Sequence, residues 1–163
     1  MRPHYARAHA VRPNAQSPTR NPQRVIPYTL YNFHMGKIHK TKANQDATWD
    51  YDDVDPHNYE GGAAPGAVRR VLIGRDEGEQ DHVVRYFTIP AGGHSAHESH
   101  AHPHSVVVTH GGGQVLLGDI WHSIQVGDAI RIDPDEIHQL RALPDQPLGF
   151  ICIIPNKDKF IAK

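Results

Sequence analysis

The chain has 163 residues and a formal net charge of -1, unevenly spread. The first 45 residues carry eight Arg or Lys and no acid, and the remainder holds nine basic against eighteen acidic residues, a formal -9. This length supports one hydrophobic core, the acidic body disfavours nucleic acid as a partner, and the single cysteine, Cys152, excludes an intrachain disulfide.

Residues 1–27 are rich in Pro, Arg, Asn and Gln and have no apolar period, which predicts an extended arm. The apolar core of a secretory signal is missing, and Pro3, Pro13, Pro18 and Pro22 would break the amphipathic helix of an organellar transit peptide. No run reaches the roughly eighteen apolar residues of a membrane span, so a cytoplasmic protein without membrane association is the default expectation. The basic arm could meet an anionic surface, or lie along the acidic body of its own or a neighbouring subunit. Residues 28–66 contain "YTLYNF" and then "WDYDDVDPHNYEGGAAPG", full of turn formers, and read as a lead-in with one strand. The expected division is arm and lead-in over 1–66 and barrel over 67–163.

From Ala67 the pattern changes to short runs rich in Val, Ile, Thr, Tyr and Phe: "VRRVLI", "HVVRYFTI", "SVVVTH", "QVLL", "IWHSIQV", "AIRI", "HQLRAL" and "LGFICII". The Gly118-Asp119 pair between two of them suits a tight hairpin. No stretch holds the 3.6-residue period of a long helix. About eight evenly spaced strands predict an all-β antiparallel sandwich or barrel.

Six of the fourteen histidines fall between Gly92 and Gly113, in "GGHSAHESHAHPHSVVVTHGGG". Imidazole and carboxylate suit divalent first-row metals; the alternative is a surface histidine tract with adventitious metal affinity. On a strand, Glu98, His100, His102 and His104 would share one face. Pro103 argues for a bend before His104, which would let residues on either side approach one ion.

The spacing Gly92-x5-Glu98-x-His100-x3-His104-x6-Gly111 resembles the first motif of the cupin superfamily, Gly-x5-His-x-His-x3-Glu-x6-Gly, with both glycines on register. Gly127-x5-Asp133-Pro134-Asp135-x2-His138 is similar to the second, Gly-x5-Pro-x-Gly-x2-His, with the proline displaced by one and Asp135 where glycine is usual. The resemblance covers roughly residues 67–155. It implies the cupin double-stranded β-helix, a jelly-roll barrel, preceded here by the N-terminal arm. It also implies a metal held by Glu98, His100, His104 and His138, the carboxylate having moved from the third ligand position to the first. Three imidazoles and one carboxylate preserve the charge of the family's set. Glu98 could instead serve as a base beside the metal, with His102 as the substitute ligand. The ion expected is Mn(2+), with Fe(2+), Zn(2+) or Ni(2+) as alternatives. His94, His97 and His110 are expected at the rim, while His122 could face the interior or solvent.

Cys152 lies in the apolar run "GFICIIP"; a buried inert thiol is the usual case, and an inward one would lie near the metal pocket. Tyr86, Phe87 and Trp121 are expected as ordinary core or rim aromatics. Arg69, Arg85 and Arg131 stand on predicted strands, where facing solvent is usual and facing inward would suit a phosphate or carboxylate. Glu-x-His-x3-His together with "PLGF-C" is similar to the methylthioxylulose-phosphate methylsulfurylase group of cupins. That similarity implies a phosphorylated ketose thioether as substrate, Mn(2+), and catalytic roles for Glu98 and Cys152. Dioxygenation of a diketone or flavonol, isomerisation of a sugar or keto acid, and metal or small-ligand binding without turnover stand as alternatives. A small barrel with open β edges also needs covering, so a homodimer held by the arm and a sheet edge is expected.

Overall fold

In a computed structural model of the chain, residues 36–59 and 64–156 are described. The chain divides into two units, Met1–Phe33 and His34–Lys163, and all described residues belong to the second. The arm expected over 1–27 lies outside the described residues. No helix among those described is long and apolar enough to cross a membrane.

The lead-in carries three short strands where one was expected: β1 (Thr41–Ala43), β2 (Trp49–Tyr51) and β3 (His57–Asn58). The barrel strands follow as β4 (Val68–Ile73), β5 (His82–Ile89), β6 (His104–His110), β7 (Gly112–Leu117), β8 (Ile120–Gln125), β9 (Ala129–Ile132), β10 (His138–Ala142) and β11 (Leu148–Pro155). These eight coincide with the apolar runs of the sequence, because each run is bounded by turn formers. All pairings are antiparallel. A six-stranded sheet has the order β3-β4-β5-β11-β6-β9, and a three-stranded sheet the order β10-β7-β8. The hairpin at Gly118-Asp119 forms as expected, with Leu117 opposite Ile120.

Alternation places the core and, with it, two functional side chains. Along β6, His104, Val106 and Val108 are buried while Ser105 and Val107 are exposed. Along β11, Phe150, Cys152 and Ile154 are buried against them. Arg85 and Val106 are the cross-strand partners of Cys152 on its two sides, so one row runs Arg85–Cys152–Val106 across three strands. Phe87 and Phe150 stack at 5.1 Å between ring centroids in the next row. Each large apolar side chain buried here contributes about 1.5–3 kcal/mol.

Tyr86 points to the outer face yet is fully buried, because the lead-in covers it. Trp49 stacks on its ring at 5.3 Å, the Trp49 backbone N–H donates to its hydroxyl at 3.0 Å, and Tyr51, Val54 and Leu72 complete a second apolar cluster. An aromatic expected as an ordinary core or rim residue is thus the anchor for residues 49–54.

Two turn positions are under strict backbone constraint. Gly111, with φ 67°, approaches the Pro147 carbonyl so closely that a Cβ would collide with it. Asp135 has φ 61° without being glycine, a conformation that Asp tolerates better than most residues. This is the position where the second cupin motif has glycine, so the departure keeps the turn while changing the residue. Gly111→Ala is expected to cost about 3 kcal/mol or more. Asp135→Gly should change stability by less than about 1 kcal/mol. Urea unfolding of both variants checks the contrast, and equal costs would contradict it.

Candidate metal centre

His104 opens β6 and His138 opens β10, so two sheets each present one imidazole at the same end of the barrel. His100 comes from the connection between β5 and β6. That connection is not a strand, contrary to the shared-face expectation for Glu98, His100, His102 and His104. It touches β10 through isolated bridges, His94 with Arg141 and Glu98 with His138, and Pro103 precedes the point where β6 begins. The His138 N–H donates to the Glu98 carbonyl at 2.9 Å, and the Glu98 N–H to the His138 carbonyl at 3.2 Å. The Asp135 N–H, in its left-handed turn, donates to the His100 carbonyl at 2.6 Å. These bonds set His100 beside the two strand histidines.

One ligand atom from each of His100, His104 and His138 lies within 4.8 Å of the others. The His138 Nδ1 lies 2.8 Å from the Glu136 carbonyl; with a proton there it donates, leaving Nε2 as the free lone pair. The His104 Nδ1 is 3.6 Å from the Cys152 sulfur, and its Nε2 is buried with no hydrogen-bond partner. Burial, reinforced by the positive Arg85 nearby, pushes the His104 pKa down to about 3. Burial also lowers that of His138, against the opposing bond to Glu136. Neutral imidazoles with converging lone pairs are what a divalent ion requires, and a buried Nε2 without a partner is otherwise costly. The three histidines therefore fit a metal.

Glu98 adjoins this cluster. One carboxylate oxygen lies 3.1 Å from the His100 Nε2. His102 is buried, with its ring 4.9 Å from that of His100 and 5.0 Å from that of His104, but it contributes no atom to the three-histidine cluster. His97 and His122 are exposed, and His94 and His110 half-buried.

Cys152 faces inward. Its sulfur accepts from the Arg85 Nη2 at 2.9 Å, and burial pushes its pKa up despite that neighbour. Arg85 faces inward as well, whereas Arg131 is exposed and pairs with Asp133 at 2.9 Å. Trp121, half-buried near the start of β8, lies under the Arg141 guanidinium at 3.8 Å. A half-open cavity of about 40 Å³ joins the site, lined among others by Glu98, His104, His138, Arg85 and Cys152. Tyr59 also lines it; it comes from the lead-in, where no motif marked it. A larger cavity of about 340 Å³ lies elsewhere, along Lys37, His39, Asp53 and Glu77, and contains none of the three clustered histidines.

Fold and site together define a small antiparallel β-barrel with a three-histidine cluster at one end. The cupin domain model matches residues 85–154. A 1-methylthio-D-xylulose 5-phosphate methylsulfurylase from Rhodospirillum rubrum is 32% identical over 112 residues, covering 68% of this chain and 71% of that protein. The chain belongs to the cupin family. Among solved structures, a cupin-2 domain protein from Rhodospirillum rubrum is similar at TM-score 0.63 and 29% identity, covering 70% of this chain and 76% of its own. The polyketide cyclase RemF from Streptomyces resistomycificus is similar at TM-score 0.59 and 25% identity, covering 63% and 74%.

Because the folded imidazoles of His104 and His138 refuse protons that the unfolded chain accepts, the metal-free protein binds fewer protons folded than unfolded below about pH 6.5. Its stability should therefore fall as pH drops from about 6.5 towards 3, and added Mn(2+) should raise the urea midpoint at neutral pH far more than at pH 5. A midpoint that holds steady on acidification would contradict the neutral-imidazole assignment.

Proposed function

We propose that this chain is a divalent-metal-dependent enzyme acting on a small oxygenated metabolite, with lyase chemistry on a phosphorylated ketose thioether as the finer reading. The observation that carries the proposal is one pocket lined by two of the three clustered histidines, His104 and His138, together with a lone carboxylate and a thiol. His100, His104 and His138 would hold the ion, Mn(2+) in the first instance, with Glu98 as the anionic member of the set. When bound, such an ion supplies Lewis acidity that polarises a substrate carbonyl.

The remaining chemistry belongs to side chains. Glu98 is the only carboxylate among the described residues lining the pocket, which suits it to take a proton from carbon next to a carbonyl and return it. Cys152 presents its sulfur beside His104, and the hydrogen bond from Arg85 offsets part of the burial that holds its proton on. Phe87, Phe150, Val106 and Leu140 form the apolar wall and exclude water. The cavity has room for a few water molecules, so the substrate would place only its reacting end inside. Similarity to a protein named as a methylsulfurylase supports the thioether reading.

Incubation of the manganese-loaded protein with 1-methylthioxylulose 5-phosphate and a small thiol is expected to release methanethiol. Glu98→Gln should slow the release about 100-fold, and Cys152→Ser should abolish it. An inactive, fully loaded wild-type protein would defeat the thioether reading, and metal bound without turnover across diketones, keto acids and sugar phosphates would defeat the enzyme reading.

The proposal extends to a cytoplasmic homodimer held by the arm and a sheet edge. Strand β9 ends the large sheet, and Val107 and Ile153 on its outer face are 41% and 37% exposed. Deleting residues 1–27 should shift the sedimentation coefficient towards that of a monomer; an unchanged dimer, or a monomeric full-length chain, would refute this part.

A further inference from the structure

We propose that Arg85 is a receptor for an oxyanion, a carboxylate or phosphoryl group of the ligand, inside the histidine pocket. The proposal deepens the metal-centre reading by naming what the pocket recognises, and it uses a different side chain. Arg85 is 7% exposed, yet no Asp or Glu pairs with it among the described residues. Its recorded polar partner is the Cys152 thiol, through Nη2, while its Nε is buried without a hydrogen bond. A thiol is a weak acceptor. The Phe87 ring, 5.1 Å from the guanidinium carbon, adds a favourable cation–π contact but takes up no N–H.

A buried cation without a counter-charge is one of the most unfavourable arrangements a core can hold. Folding tolerates it here on the wall of an open pocket, where an incoming anion can reach the guanidinium. The fork of N–H donors matches two oxygens of a carboxylate or phosphoryl group at once. Arg69 strengthens the field. On β4 it pairs with Phe87, one diagonal step from Arg85 on the same inward face, and its Nε is likewise buried without a partner. Arg131, expected from the sequence as an equal candidate, instead points outward to Asp133. In a barrel portion whose formal charge is negative, Arg85 in the pocket wall, with Arg69 behind the Tyr59 ring, makes this pocket the place where an anion is favoured.

The test is calorimetric titration of inorganic phosphate and, separately, malonate into the full-length chain after removal of divalent ions with EDTA. Wild type is expected to bind at least one of the two without metal, and the tighter of them assigns the group as phosphoryl or carboxylate. Arg85→Gln should weaken that binding about tenfold or more, Arg85→Lys should recover part of it, and Arg131→Gln should leave it unchanged. The Arg85 variants are first shown by circular dichroism and manganese content to be folded and metal-competent. If Arg85→Gln does not fold, the comparison rests on Arg85→Lys, whose binding should fall below wild type because it lacks the fork. The idea is overturned if wild type binds neither anion, if the Arg85 variants bind as wild type does, or if binding appears only on adding Mn(2+). Failure of wild type and every variant to take up stoichiometric Mn(2+), Fe(2+), Zn(2+) or Ni(2+), with anion binding intact, would remove the metal reading and leave this one standing.

Discussion

The reciprocal backbone hydrogen bonds between Glu98 and His138 are the constraint on which the pocket depends. Sheet alternation by itself delivers His104, Arg85 and Cys152 to the interior, because the residues two positions away on the same strand, Val106, Phe87 and Phe150 with Ile154, face the core. His100 has no such guarantee. It sits on a connection without a continuous ladder, and its position follows from the pairing of Glu98 with His138 and from the bond that the Asp135 turn makes to its carbonyl. Only when these close does a third imidazole meet the other two.

That closure has an energetic consequence. Three imidazoles are gathered tightly here, and the His104 Nε2 among them loses water without gaining a hydrogen bond in return. Burial keeps His104 and His138 neutral, so the arrangement resists acid as little as it welcomes water. A divalent ion would offset both costs by taking the lone pairs. The pocket wall carries a second imbalance, the guanidinium of Arg85 facing a thiol in place of a carboxylate. Violations of this kind, meeting at His104 and Arg85 in one cavity, are characteristic of sites selected for binding rather than for stability.

Much of the barrel was legible in the sequence because its strands are short, rich in β-branched residues and separated by turn formers. The histidine cluster was legible through spacing, since the two motifs are turn-and-ligand patterns: Gly111 occupies a place no Cβ could, and Asp135 preserves the left-handed turn of a missing glycine. The inward direction of Cys152 was not legible. Its run, "GFICII", is apolar at every position after the glycine, so periodicity gave no face. Arg85 was obscured for a related reason. In "HVVRYFTI" the polar residue is inward and Tyr86 outward, the reverse of the usual pattern, because the lead-in buries the outer face at Tyr86. The lead-in strands themselves, two or three residues long among turn formers, carry too little pattern to be seen. The place of Glu98 against His100 depends on an irregular connection, where strand parity has no authority.

The most direct measurement is anomalous diffraction from crystals of manganese-loaded protein purified without an affinity tag. One peak at full occupancy is expected between His100, His104 and His138, within bonding distance of a nitrogen of each. A peak on His102 in place of one of them, a peak in the cavity beside His39, or no peak at full loading would contradict the three-histidine centre.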